Sequence, residues 1–187
     1  MVTLAQLWLP IVLSGVFVFF ASSILHMVLR FWHAPDYRGF ANEDEISAAI
    51  RRGNATAGTY MIPYCKPETM KEQATQDKFR QGPVGMIFLR QPGMMNMGVF
   101  LGQWFVFCLL VSVFCAYLGG HVMAAGTPYI RVFRVIGTAA FLAYGLGSVP
   151  NAIWWGHPWK SQIKHVIDGL IYALLTAGAF GWLWPAA

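Results

Sequence analysis

The sequence predicts an all-α integral membrane protein with four transmembrane helices and a small cytoplasmic cap between the first and second helices. Hydrophobic residues make up 57% of the chain and charged residues only 11%, whereas about a quarter of the residues in a soluble domain are charged. A helix needs roughly 20 mostly apolar residues to cross a bilayer. Four stretches meet this requirement: Leu7–Phe31, Met97–Leu118, Ile130–Val149 and Gln162–Trp184.

The distribution of basic residues predicts how these helices are oriented. The formal net charge is +5, and nearly all Lys and Arg lie either in the long loop after the first stretch or beside the fourth stretch, at Lys160 and Lys164. Such residues mark the cytoplasmic flanks of membrane helices. Both termini should therefore face away from the cytoplasm. The same pattern accounts for the basic charge without a nucleic-acid partner, so the lipid bilayer is the expected partner.

Residues 1–31 form the first predicted transmembrane helix. Ser22, His26 and Arg30 lie at positions i, i+4 and i+8 and should form a polar stripe on an otherwise apolar helix. Arg30 could extend to lipid headgroups while His26 hydrogen-bonds a neighbouring helix.

Residues 32–95 form the predicted cytoplasmic cap, with short helices and a possible strand pair. Asn42 can cap one helix, and a second helix should run over Pro67–Gln81. Thr59–Tyr64 and Val84–Arg90 are short, aromatic or β-branched, and bounded by Gly and Pro. These two segments are therefore expected to be extended and to pair.

Residues 96–187 form a predicted three-helix transmembrane region. Small residues recur at every fourth position of its last helix and should form a smooth packing stripe, namely Gly169, Ala173, Ala177 and Gly181. A similar series on the preceding helix, Ala139, Ala143 and Gly147, is the expected mate. Stripes of this kind favour close helix contacts, and we expect a homo-oligomer or membership of a larger membrane complex.

Asp168 is the only acidic residue in the last helix, and a carboxylate among hydrocarbon requires polar partners. Placing the four helices in the expected topology brings several polar residues to a similar depth. The predicted intramembrane cluster is His26, Arg30, Gln103, Ser148, His165 and Asp168. Within it, Asp168 could pair with Arg30, His26, His165 or Lys164.

Three functions are compatible with this cluster. Asp168 could fix the helix arrangement of a structural or accessory protein, or line a channel or transporter for protons, ions or a small solute. A haem or metal could bind His26, His165, Asp168 or His157, but no HxxxH, HExxH, ExxH or CxxC spacing is present. No nucleophile lies beside a base at a recognisable spacing. The sequence thus favours a non-enzymatic structural or accessory protein with no cofactor and no metal.

Two stretches near the C-terminus carry a resemblance to a known group of proteins. The loop IWWGHPWK and the helix end FGWLWP, in the context of four apolar helices, resemble uncharacterised bacterial inner-membrane proteins containing domains of unknown function. The similarity is clearest over Val132–Pro185. It implies a bacterial inner-membrane location, with both termini periplasmic in the orientation argued above. It implies no activity, cofactor or catalytic residue.

Overall fold

A computed structural model describes residues 2–187, which are mostly helical. Within these residues, four helical segments are long and apolar enough to cross a membrane: Trp8–Val28, Met97–Val122, Tyr129–Trp155 and Trp159–Trp182. The prediction of a mainly α-helical chain with four such segments is confirmed at this level. Segments of this length and composition are typical of a multi-pass membrane protein.

The chain divides into two compact units. The first comprises the residues up to Tyr37 together with Asn96–Ala152 and His157–Ala187, and the second comprises Arg38–Met95 and Ile153–Gly156. In chain order the main elements are α1 (Trp8–Ser23), a π-helical turn (Ile24–Val28), α2 (Arg30–His33), α3 (Glu43–Arg52), β1 (Gly58–Ile62), α4 (Gln73–Gln81), β2 (Gly85–Leu89), α5 (Met97–Val122), α6 (Tyr129–Tyr144), α7 (Pro150–Trp155) and α8 (Trp159–Trp182).

The first apolar helix does not continue regularly to Phe31 as predicted. The α-helix ends at Ser23, the π-helical turn follows, and Leu29 adopts a non-helical conformation with φ −84° and ψ 60°. A new short helix then begins at Arg30 and passes into a 3₁₀ turn at Pro35, a residue that cannot donate a backbone hydrogen bond. The interruption removes Arg30 from the helical register of His26, and the Arg30 side chain is exposed.

The small-residue stripe of α8 packs against α6. A Cβ atom added to Gly169 would collide with the backbone of Gly145 at the end of α6, and one added to Gly181 would lie 2.7 Å from the Tyr129 ring. Between them, the Ala177 methyl group lies 3.2 Å from the Cβ position of Gly137. At Gly169–Gly145 and Ala177–Gly137 the two helices approach closely because neither carries a large side chain there, and at Gly181 the absence of a side chain makes room for the Tyr129 ring.

The prediction that Ala139, Ala143 and Gly147 pack against the α8 stripe is wrong. The residues that meet the α8 stripe are Tyr129, Gly137 and Gly145, whereas Ala143 and Gly147 are exposed. The buried face of α6 is set by its larger side chains, which include Val132, Ile136, Ala140 and Tyr144. Spacing of small residues alone did not distinguish this face from its neighbour.

Buried polar groups link the remaining helices of the first unit. The Ser14 hydroxyl on α1 donates to the Ser112 hydroxyl on α5 at 2.9 Å. The Trp104 indole N–H donates to the Ser22 hydroxyl at 2.7 Å. These interhelical hydrogen bonds add to the bonds that each serine hydroxyl makes to a carbonyl of its own helix, and they satisfy the Trp104 N–H inside an apolar bundle.

The second unit contains α3, α4 and a two-stranded antiparallel sheet in which Tyr60 lies opposite Ile87. Asn42 precedes α3, but its side chain does not cap the helix; its amide instead donates to Glu45 Oε2 at 3.2 Å. Among residues 38–95, all of which the structure describes, none is fully buried. Residues 32–37 belong to the first unit, so the observed boundary differs from the predicted 32–95 cap.

Candidate metal centre

Asp168 is the central residue of the site. Its side chain is 2% exposed, and both carboxylate oxygens have partners from the segment that follows Leu29. The Trp32 indole N–H donates to Oδ1 at 2.8 Å, and His33 Nε2 lies 2.6 Å from Oδ2. The carboxylate predicted to need partners thus has two, supplied by adjacent residues of the first unit.

His33 lies between two carboxylates. While its Nε2 faces Asp168, its Nδ1 lies 3.2 Å from Asp36 Oδ2. A neutral imidazole donates from one nitrogen and accepts at the other, whereas a protonated ring donates from both. His33 can therefore be held in a fixed orientation with either nitrogen protonated.

Lys164 was one of the expected partners of Asp168, but it pairs with Asp36 instead. Its Nζ donates to Asp36 Oδ1 at 2.7 Å, and both side chains are largely buried. The hydrogen bond from Lys164 is the main reason why the pKa of Asp36 lies below its ordinary value of 3.8, against the opposing effect of burial. Asp36 is thus held as an anion beside His33.

Three imidazole rings stack at the centre. The ring centroids of His26 and His33 are 4.2 Å apart and those of His33 and His165 are 5.1 Å apart, with interplanar angles of 19° in both cases. His26 Nε2 lies 4.0 Å from Asp168 Oδ2. Among the described residues, one group could hold a metal ion: His26, His33 and Asp168 offer ligand atoms that all lie within 4.8 Å of one another.

The structure brings together part of the predicted polar cluster. His26, His165 and Asp168 meet, and Ser148 accepts a 2.7 Å hydrogen bond from Gln162 beside them. Arg30 and Gln103 are exposed and stand outside the cluster. Arg30 is displaced by the break at Leu29.

Gln103 is excluded by the helical register of α5. The buried face of this helix includes Ser112 and Cys108, and one further turn towards the N-terminus gives Trp104. Because successive residues of an α-helix are rotated by about 100°, Gln103 points away from this face.

Sequence reasoning missed three residues of the site: Trp32, His33 and Asp36. All three were assigned to the cytoplasmic cap, because they follow the first apolar stretch. One signal was present, since His26 and His33 are seven positions apart, a spacing that in an uninterrupted helix returns to the same face after two turns. Nothing in the sequence indicated that Asp36 would lie beside His33 and Lys164.

No protein-family model, curated protein or solved structure matches this chain. The chemistry of the site is therefore the basis for a functional assignment. Two imidazole nitrogens and one carboxylate oxygen form a donor set that suits Zn²⁺, and the same set with open positions is typical of non-haem Fe²⁺.

Two of the three distances between the candidate ligand atoms lie near the spacing in a metal site. With metal–ligand bonds of 2.0–2.1 Å, ligand atoms in a tetrahedral site lie about 3.3 Å apart. The His33–Asp168 distance of 2.6 Å and the His26–Asp168 distance of 4.0 Å lie on either side of this value. Side-chain shifts of less than about 1 Å would reach it, and the His26 side chain, which is 41% exposed, has room to move.

Proposed function

We propose that this protein binds a divalent transition metal ion, such as Zn²⁺ or Fe²⁺, through His26, His33 and Asp168. The observation that carries this proposal is the position of His33, with one nitrogen facing a candidate ligand carboxylate and the other facing a second carboxylate. Metal-binding histidines characteristically donate their second N–H to a carboxylate or carbonyl, which fixes the ring and raises its basicity. Asp36 would have this role, and Trp32 would orient Asp168 in the same way.

The charges of the centre support the proposal. Lys164 offsets Asp36, which leaves the negative charge of the buried Asp168 to be compensated. A buried charge without compensation costs several kcal/mol. A divalent cation supplies the missing charge. The competing explanation is a protonated His33 that only locks the helices together, and the two explanations predict different metal contents.

Metal analysis of the full-length protein tests the proposal. The protein, gently extracted from its native membrane, should contain about one transition metal ion per chain by mass spectrometry, and the stripped protein should rebind Zn²⁺ or Fe²⁺. His26→Ala should weaken binding at least 100-fold, because outer partners of a metal alone contribute roughly 10- to 100-fold. This variant should still fold, since His26 is half-exposed and the His33–Asp168 pair remains.

A matched control is His121→Ala on α5. His121 is also an exposed histidine of an apolar helix, but its Nδ1 contacts the Tyr117 carbonyl oxygen at 2.7 Å, outside the centre. Its removal should leave metal affinity unchanged. Metal-free native protein that rebinds neither ion, or equal effects of the two substitutions, would overturn the metal proposal and favour the structural role.

The distribution of Lys and Arg also supports an orientation with both termini outside the cytoplasm, which would be the periplasm if the protein lies in the bacterial inner membrane, as its resemblance implies. This orientation would place His26 and Asp168 in the cytoplasmic half of the bilayer. Alkaline phosphatase is active only outside the cytoplasm, so its fusion after Ala187 should be active. An inactive, well-expressed fusion would contradict the orientation.

A further inference from the structure

A cavity of about 340 Å³, whose lining includes several polar side chains, lies beside the candidate metal centre. His26 and Asp168 form part of its wall, together with His165 and Tyr172. Asp168 and Tyr172 are four residues apart on α8, so they lie on the same helix face one turn apart. A metal ion held by His26 and Asp168 would thus lie at the edge of a space large enough for a small molecule.

Tyr172 contributes an unusual feature to this cavity. The residue is 4% exposed, and among the described residues its hydroxyl group is buried without a hydrogen-bond partner. Such a group costs about 1–3 kcal/mol unless something satisfies it. Tyr144 lines the same cavity and is also buried, but its hydroxyl donates to the Cys108 carbonyl oxygen at 3.3 Å. The unsatisfied donor is therefore specific to Tyr172.

The charge of the occupied centre indicates what the cavity would accept. Two neutral histidines, one carboxylate and a divalent cation leave one net positive charge, because Lys164 and Asp36 offset each other. Asp168 is the only carboxylate among the described residues that line the cavity. A net positive charge in an apolar bundle favours the binding of a monoanion.

We infer that the cavity binds a small monoanion, such as hydroxide, bicarbonate or a short-chain carboxylate, which ligates the metal and accepts a hydrogen bond from the Tyr172 hydroxyl. This inference rests on the proposed metal-binding function. Metal sites with three protein ligands commonly keep a further position for water or an exogenous ligand. Here the ligand would satisfy the metal charge and the buried hydroxyl together.

The experiment uses azide as the anion and Co²⁺ as the metal, because the visible spectrum of Co²⁺ changes with its coordination. The full-length protein is stripped, loaded with Co²⁺ and titrated with sodium azide. The visible bands should shift with saturation behaviour. Bicarbonate and acetate are then added in competition with azide. The anion that reverses the azide-induced band shift at the lower concentration represents the preferred class of ligand.

Two substitutions separate the role of Tyr172 from general effects on the cavity. Tyr172→Phe removes a hydroxyl that has no partner, so it should not impair folding, and it should weaken azide binding by about tenfold or more. Tyr144→Phe changes a neighbouring wall residue whose hydroxyl is already engaged, and it should alter azide affinity less than about twofold. Co²⁺ affinity is measured for each variant in parallel.

The outcomes distinguish the two proposals. A Co²⁺ spectrum that is insensitive to azide would overturn the anion site and leave the metal site standing. Equal weakening of azide binding by both tyrosine substitutions would overturn the role of Tyr172. Failure of the wild-type protein to bind Co²⁺ would overturn the metal proposal and the anion proposal together.

Discussion

The two units of this protein differ in how deeply their ion pairs are buried. In the second unit, Arg80 and Asp77 form an i,i+3 ion pair at 3.1 Å with exposed fractions of 66% and 46%. In the first unit, Lys164 and Asp36 form an ion pair at 2.7 Å with exposed fractions of 12% and 10%. Each pair joins a basic side chain to an aspartate at hydrogen-bonding distance, but their surroundings differ.

Burial decides which of these charges determine the structure. An exposed pair exchanges hydration for a contact of similar free energy and contributes roughly 0–1 kcal/mol. A buried pair gains little over two apolar residues, but loss of one partner leaves a charge that neither water nor protein compensates. Substitution of the buried charges of the first unit, such as Asp36, Lys164 and Asp168, should therefore be costly, and substitution of the exposed charges of the second unit should not.

Asp168→Ala should destabilise the protein more than any other substitution considered below. In the metal-free protein, removal of this carboxylate leaves the Trp32 N–H and His33 Nε2 without their partner. We expect the free energy of unfolding to fall by about 3–5 kcal/mol. Detergent-induced unfolding in mixed micelles, followed by far-ultraviolet circular dichroism, measures the change.

Asp77→Ala in the second unit is the matched control. Asp77 also accepts two side-chain hydrogen bonds, from Gln73 and Arg80, but in an exposed setting. Its substitution should lower the free energy of unfolding by no more than about 1 kcal/mol. Similar losses for Asp168→Ala and Asp77→Ala would show that burial does not determine the cost of removing these carboxylates.

A smaller effect is expected from Lys164→Met. Asp36 would remain charged and largely buried without its main partner, at a cost of about 2–3 kcal/mol. Arg80→Met should cost less than about 0.5 kcal/mol. Adding Asp36→Asn to Lys164→Met should recover part of the loss, because it removes the uncompensated charge. A double variant less stable than Lys164→Met alone would contradict this explanation.

The sequence predicted the helical framework because length and hydrophobicity are local properties. Four apolar stretches and the small-residue stripe of α8 could each be recognised without knowledge of their neighbours. The need of Asp168 for partners could also be predicted, since a carboxylate in an apolar segment is costly wherever the other helices lie.

The identity of those partners depended on one backbone feature. Regular helix geometry extrapolated from His26 selects Arg30, but the π-helical turn and the conformation of Leu29 interrupt that geometry and bring His33 and Trp32 to Asp168. A π-helical turn inserts one extra residue into a helix and has no reliable sequence signature, although such turns are frequent at functional sites. The face of α6 that contacts the α8 stripe was predicted wrongly because several faces of α6 carry small residues.

The smallest of the expected stability changes comes from Gly→Ala substitutions, one in each unit. Gly169→Ala places a methyl group against the backbone of Gly145, which has no side chain that could move aside, so it should destabilise the protein by about 2 kcal/mol. Gly85→Ala in β2 meets no described atom within 4 Å of the added Cβ and should change stability by less than about 0.5 kcal/mol. The same unfolding titration measures both. Because Gly169 adjoins Asp168, a Gly169→Ala protein as stable as the wild type would mean that the close approach of α6 and α8 is not what positions Asp168.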